Sequence, residues 1–279
     1  MDFRSLLVHL DNSLECFQRT RVAIRLARTF GCHLVGLAPT GLIDIPRGSE
    51  SAAALADYAA MAWDVLRDHA EQDAGRFLDE CHAAKLTSFK AVIDEADAAD
   101  SIVRHGHCSD LIVLGQAGDG KDFETSMAIA EQVVLHSARP TLVVPRSAPI
   151  DHIGQNILVA WDDTREAARA LSDAMPLLSR AKRVLVVTWR ESKTATDAEL
   201  LARLESAREW LAQHGVQCEV CLESLDTNIA KAMLARAEGM NADLVVMGSY
   251  GHARWMEHVL GGATRDMLAK MSLPVLMSH

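Results

Sequence analysis

The 279-residue chain lacks any uninterrupted apolar run near the ~20 residues that span a bilayer, which argues against a helical membrane protein. Positive charge is also in short supply. Against 38 Asp and Glu stand 28 Lys and Arg, a formal net charge of −10. A broad nucleic-acid surface needs a cationic face, so nucleic acid is not an expected partner. Met1-Asp2-Phe3-Arg4 carries an early acid with no apolar segment behind it, so no secretory leader and a cytoplasmic location are expected. Cysteine is sparse and scattered, at positions 16, 32, 81, 108, 218 and 221, which suits reduced packing residues. Cys218-Glu219-Val220-Cys221 has redox or half-zinc spacing, but it lies in strand-like alternation, where residues three apart point to opposite faces. No second Cys or Cys/His pair stands at zinc spacing, so no metal site is expected there. A Gly-x-Ser-x-Gly elbow and a convincing catalytic constellation are both missing. The twelve histidines include His105/His107 and His252/His258, for which exposure or local capping is the simpler account.

What the chain does contain is a repeat. Leu6-Leu7-Val8-His9-Leu10-Asp11-Asn12-Ser13 resembles Ile157-Leu158-Val159-Ala160-Trp161-Asp162-Asp163-Thr164, at an offset of 151. Ser109-Asp110-Leu111-Ile112-Val113-Leu114-Gly115 resembles Ala242-Asp243-Leu244-Val245-Val246-Met247-Gly248, at an offset of 133, so the first half carries 18 extra residues between these landmarks. Arg139-Pro140-Thr141-Leu142-Val143-Val144 then resembles Leu273-Pro274-Val275-Leu276-Met277. The order predicts two tandem domains, 1–147 and 154–279, joined where Pro145, Pro149 and Gly154 suit a linker.

Each half alternates apolar runs with helical periodicity. Ser5–Leu10, Leu34–Leu37, Phe89–Ile93, Leu111–Leu114 and Thr141–Val144 read as strands in the first. Ile157–Trp161, Arg183–Trp189, Val216–Leu222, Leu244–Met247 and Val275–Met277 read as strands in the second. Near-continuous apolar runs fit parallel strands covered on both faces. Leu200, Leu201, Leu204, Ala207 and Leu211 form a helical stripe that His214-Gly215 ends. The expectation is an α/β fold of two doubly wound, five-stranded parallel sheets. The extra residues fall in an insert near 40–76, where Ser51–Arg76 reads as a long Ala-rich helix suited to a lid or a partner-facing surface.

Ligands of open α/β sheets sit beyond the carboxyl ends of the strands at a topological switch point. Asp162 follows one such strand. Another is followed by Gly248-Ser249-Tyr250-Gly251 and, further on, Gly261-Gly262-Ala263-Thr264-Arg265, ahead of a helix over 263–271. Glycine permits close main-chain approach to a ligand, and free amides at a helix start favour an anion such as phosphate. Arg265, Arg254 and His252 are candidate sources of positive charge. A turn that only packs strand against helix is the competing account. No Gly-Lys-Ser/Thr follows, so this is not a Walker A loop, and the Gly-x-Gly-x-x-Gly spacing of dinucleotide folds does not match either.

Gly248, Gly251 and, nine residues on, Gly261 resemble the G-2x-G-9x-G-(S/T) signature of the universal stress protein family. The Asp-bearing first strand and the closing Pro-Val-Leu strand resemble that family as well, twice over, which makes the chain similar to its tandem members. The resemblance implies a Rossmann-like domain, like that of adenine nucleotide alpha hydrolases, that binds an adenine nucleotide, often ATP. By that comparison Asp162 faces ribose and adenine, with Mg²⁺ against the phosphates as an option. Ala160 and Thr188 line the adenine slot, and Met247, Gly248, Gly251, Gly261, Gly262, Ala263 and Thr264 surround the phosphates. It also implies that the two last strands pair within one chain as a pseudo-dimer, with a further homodimer left open.

This sequence departs from the motif in both halves. Gly262 stands where the family has a hydroxyl residue, a loss of about 0.5–1.5 kcal/mol that Thr264 is placed to offset. In the first half Gly115 and Gly118 survive, but Ala128 and Ile129 replace the last glycines, and Asp119, Asp122 and Glu124 would repel an anion. A stress-response protein that binds ATP, AMP or ADP in its second half and signals to protein partners is the leading expectation. A nucleotide-free interaction scaffold and a weak ATPase are the alternatives.

Overall fold

Asp110 and Asp243, the acidic residues of the duplicated Asp-Leu motif, do the same structural work in the two halves. In a computed structural model that describes residues 2–41, 52–118, 123–146, 150–190, 195–249 and 262–279, with backbone alone for 52–57, each carboxylate gathers the free amides that open a first strand. Asp110 accepts from Arg4 N at 2.6 Å and Ser5 N at 3.0 Å. Asp243 accepts from Gly154 N at 2.9 Å, Gln155 N at 2.9 Å and Asn156 N at 3.1 Å. The repeat in sequence is thus a repeated clamp between a strand start and its neighbour.

The described residues divide into two compact units, Phe3–Val113 and Leu114–His279 with the N-terminal Met1–Asp2. This division falls earlier than the repeat joint expected over 147–154. The first unit runs β1 (Ser5–His9), α1 (Cys16–Phe30), β2 (His33–Pro39), α2 (Ala52–Ala83), β3 (Phe89–Asp94), α3 (Ala98–Gly106) and the start of β4 (Leu111–Gly115). Its strands are parallel in the order β3-β2-β1-β4, with Leu7 opposite Val35 on one side and Ile112 on the other. Leu6, Leu7 and Val8 are almost fully buried, as a strand covered on both faces requires. The inserted helix packs here. A Cβ at Gly36 would lie 2.7 Å from the Phe77 ring, so glycine lets α2 sit directly on β2.

The second unit contains α4 (Phe123–His136), β5 (Thr141–Val144), β6 (Asn156–Ala160), α5 (Arg165–Asp173), α6 (Met175–Leu178), β7 (Arg183–Arg190), α7 (Asp197–Gln213), β8 (Glu219–Ser224), α8 (Ile229–Gly239), β9 (Leu244–Gly248), α9 (Gly262–Lys270) and β10 (Val275–Ser278). The strand order is β5-β10-β9-β6-β7-β8. All these pairs are parallel except β5 with β10, where Val143 stands opposite Val275 and Thr141 opposite Met277. The fold is α/β with a mostly parallel sheet, as expected. β8 starts three residues later than the expected Val216–Leu222 run, because Val216 is spent closing α7: its amide donates to Leu211 O at 3.0 Å.

Short polar residues start the helices. Thr196 and Glu199 form a reciprocal capping box on α7, Thr164 caps α5, and Asp97 and Asn228 cap α3 and α8 at matching places in the two halves. From β6 the chain moves outward to β7 and β8, then returns to lay β9 on the other side of β6. That reversal places a topological switch point between β6 and β9. No helix among the described residues is long and apolar enough to cross a membrane.

Candidate functional site

Beyond the carboxyl ends of β6, β7 and β9 lies a cleft of about 250 Å³. Ala160, Asp162, Thr188, Met247 and Gly248, singled out from the sequence, all line it. So do residues that sequence reasoning did not place at the site, among them Trp161, Leu200, Arg203 and Met233. Leu200 and Arg203 come from α7, which follows β7 and covers the cleft. The signal for them was available, since Leu200 begins the apolar stripe of that helix, but periodicity alone does not say which end of a helix overhangs a strand terminus.

Local geometry fixes the polar groups. Asp162 Oδ1 accepts from Thr164 Oγ1 at 2.6 Å and Thr164 N at 3.2 Å, and Thr164 Oγ1 in turn accepts from Ala167 N at 3.2 Å. The carboxylate is therefore tied to the cap of α5. Between them Asp163 adopts φ +60°, a left-handed conformation that Asp tolerates better than most residues. Thr188 Oγ1 donates to Trp161 O at 2.6 Å, so its proton is committed to the protein and only its lone pairs remain to accept.

The two accounts of the glycines separate by position. A Cβ at Gly248 would stand 2.6 Å from Ala167 N and 2.6 Å from Glu166 C. Packing of β9 against the start of α5 therefore demands glycine there whether or not a ligand binds. At Gly262 a Cβ meets nothing within 4 Å, so no packing demands glycine. Ala263 is half-buried beside it, while Thr264, placed by sequence to offset the lost hydroxyl, is buried in the packed face of α9. Ser249 is turned into the sheet, its Oγ donating to Ser278 O at 2.9 Å. Gly251 and Gly261, with His252 and Arg254, lie outside the described residues.

Arg265 does not serve the cleft. Its guanidinium pairs with Glu124 at 2.7 Å and Glu131 at 3.4 Å, both on α4. Burial pushes the Glu131 carboxyl up, against the pull of Arg265. The expectation of Arg265 as a phosphate cation is corrected accordingly.

The first half shows a different arrangement at the matching place. Asp11 Oδ1 accepts from Ser13 N at 3.0 Å, and Oδ2 pairs with Arg19 Nη2 at 2.9 Å. Arg19 is 3% exposed, and its Nε donates to His9 O at 2.7 Å. Burial works to raise the Asp11 carboxyl, but Arg19, His9 and the Ser13 bonds together hold it well below the usual carboxylate range. Burial and Arg19 push His9 down to about 4, Asp11 opposing. The position 151 residues after Arg19 is Ala170, so the second half has no such arginine. Ala128 and Ile129 lie within α4, which begins at Phe123, so their amides belong to helical hydrogen bonds and not to a free helix start.

An adenine nucleotide fits the described groups. Ala160, Leu200, Met233 and Met247 give the cleft an apolar wall beside the Asp162 carboxylate, the surroundings that a base and a ribose hydroxyl would need. Among the described residues no group of three His, Cys, Asp or Glu side chains is arranged to hold a metal ion. Burial raises both the Cys218 and the Cys221 thiols.

Comparison with known proteins agrees with this architecture. The sequence model described as "Universal stress protein family" matches residues 154–279. A universal stress protein of Synechocystis sp. is 29% identical over 171 residues, 60% of this chain and 57% of that protein, so the match takes in little more than half of that relative's length. The crystal structure of a universal stress protein from Archaeoglobus fulgidus superposes with a TM-score of 0.73 at 19% identity, covering 98% of this chain and 95% of that one. A functionally unknown protein from Pseudomonas aeruginosa superposes with a TM-score of 0.61 at 16% identity, covering 99% and 92%. At these identities the two structures speak for the fold across the whole chain. The sequence match covers the second half, 154–279, which is similar to the universal stress protein family, and the superposed structures share the fold along the rest of the chain.

Proposed function

We propose that the half spanning 154–279 binds an adenine nucleotide, ATP first with AMP and ADP as alternatives, and that occupancy biases a surface read by cytoplasmic protein partners in a stress response. The observation that carries this reading is convergence. Residues as far apart as Ala160 and Gly248, which the family resemblance singled out, line one cleft at a switch point of the sheet. In this reading Ala160 and Thr188 flank the base, Asp162 accepts from the ribose, and Met247, Gly248, Gly251, Gly261, Gly262, Ala263 and Thr264 surround the phosphates. Mg²⁺, if present, would reach the phosphates beside Asp162. The first half does not bind a triphosphate, because Arg19 already occupies its aspartate.

Titration calorimetry of ATP into nucleotide-free protein tests the proposal. Binding tighter than about 100 µM, roughly 5 kcal/mol, is expected, and Gly261→Val should abolish it. Mass spectrometry of the supernatant after denaturing freshly purified protein should release ATP, ADP or AMP. No heat and no released nucleotide would refute the reading.

One observation favours the scaffold as a second reading. Tyr58, Met61 and Val65 form an exposed stripe on α2, 43%, 71% and 52% exposed. If deletion of that helix abolishes partner capture while Gly261→Val leaves it intact, the scaffold reading prevails. Phosphate release indistinguishable between wild type and Gly261→Val would dismiss an ATPase.

A further inference from the structure

The groups expected to neutralise a bound phosphate are, among the described residues, absent or engaged. Gly262 has no hydroxyl, Thr264 is buried, and Arg265 is held by two glutamates of α4. Two arginines line the cleft itself, Arg190 and Arg203. Arg190 is spoken for: its Nη2 lies 2.8 Å and 2.9 Å from the two carboxylate oxygens of Asp197.

Arg203 differs. Its side chain is half-exposed at the cleft wall, and its nearest acidic partner, Asp163 Oδ2, stands 3.6 Å from Nε, too far for a hydrogen bond. No hydrogen bond from its guanidinium to the described residues is found. Glu199, one turn earlier on the same helix, attracts it only through space, because that carboxylate turns back to accept from Thr196 N at 2.8 Å and Thr196 Oγ1 at 2.9 Å. A guanidinium carries five donors in a fork that matches phosphate oxygens. Here that fork is held over a largely apolar cleft, and among the described residues Asp163 is its one ion-pair partner within 4 Å.

We propose that Arg203 engages the phosphate of the nucleotide bound in the C-terminal cleft, and that Asp163 is the counter-ion it relinquishes when the ligand enters. The proposal rests on the nucleotide reading above and adds to it a charge-specificity residue on α7, outside the glycine loop and the strand ends. It makes the site selective for charged nucleotides over the nucleoside, and it gives Asp163 a competing role of opposite sign.

The test compares ATP, AMP and adenosine by calorimetry on the full chain. Arg203→Gln keeps much of the side-chain stem and removes the charge. It should weaken ATP and AMP by about tenfold or more, the size of a lost hydrogen bond to a charged group, while adenosine changes by less than about twofold. Arg203→Lys, which restores charge without the fork, should recover part of the loss. Asp163→Asn keeps a residue suited to positive φ and frees the guanidinium, so it should tighten ATP a few-fold on the scale of an exposed ion pair. The inference is overturned if wild type binds adenosine as tightly as ATP, if Arg203→Gln changes ATP and adenosine by the same factor, or if it changes neither. Wild-type protein that binds none of the three ligands overturns the nucleotide reading itself, a distinct result.

Discussion

Arg19 is the residue that most separates the two halves. It lies on α1 one turn before Val22 and Ala23, on the buried face, and it fixes Asp11 and the His9 carbonyl at once. The cluster makes stability depend on pH. A neutral, buried His9 with a folded pKa of about 4 refuses a proton that the unfolded chain takes up below about 6.5. Stability therefore falls as pH drops between those values. The expected loss is about 2 kcal/mol from pH 7 to pH 5, read as a shift of the urea midpoint, and His9→Gln should remove it. Asp11 acts lower on the scale. Its folded pKa is depressed, so its contribution is present above the unfolded carboxylate value and is lost as pH falls below it. The glycines of the second half yield a paired prediction. Gly248→Ala places a methyl against the backbone of α5 and should cost about 1–3 kcal/mol in thermal unfolding, with or without nucleotide. Gly262→Ser meets open space, so it should leave the melting temperature unchanged and tighten ATP by about fivefold, close to 1 kcal/mol for one hydrogen bond.

Among the elements, the strand starts and the last helix are held by side chains from distant sequence. Asp243 gathers three amides at the start of β6. Removing it leaves part-buried donors without an acceptor, so Asp243→Ala should destabilise the protein by about 3 kcal/mol in chemical denaturation. Asp243→Asn, which keeps one carbonyl oxygen, should cost visibly less. Gln116 follows β4 where a phosphate loop would begin, yet its Nε2 donates to Leu268 O and Ala269 O, each at 3.1 Å, at the end of α9. The degenerate loop of the first half thus caps a helix of the second. Sequence periodicity found α7, the inserted helix and α9, because each carries an apolar stripe or an alanine-rich run long enough to have a period. It placed β8 early, since an apolar Val216 at a helix end looks the same as one at a strand start.

For the whole molecule, the duplicated order of strand, helix and clamp, together with the glycine spacing after β9, was readable from the chain alone. Those signals are short-range: an apolar run has a period, a cap sits next to its helix, and a motif keeps its spacing. Sequence therefore determined the α/β class, and the family resemblance it carried singled out five of the residues that line the cleft. Only the tertiary structure decided which charges remain available there. Arg265 finds Glu124 and Glu131, Arg19 finds Asp11, and Arg203 is left with Asp163 at 3.6 Å because helix packing brings these groups together from positions that no local pattern links. A charge acts through its nearest partner in space, and that partner is set by the packed helices and not by the order of residues along the chain.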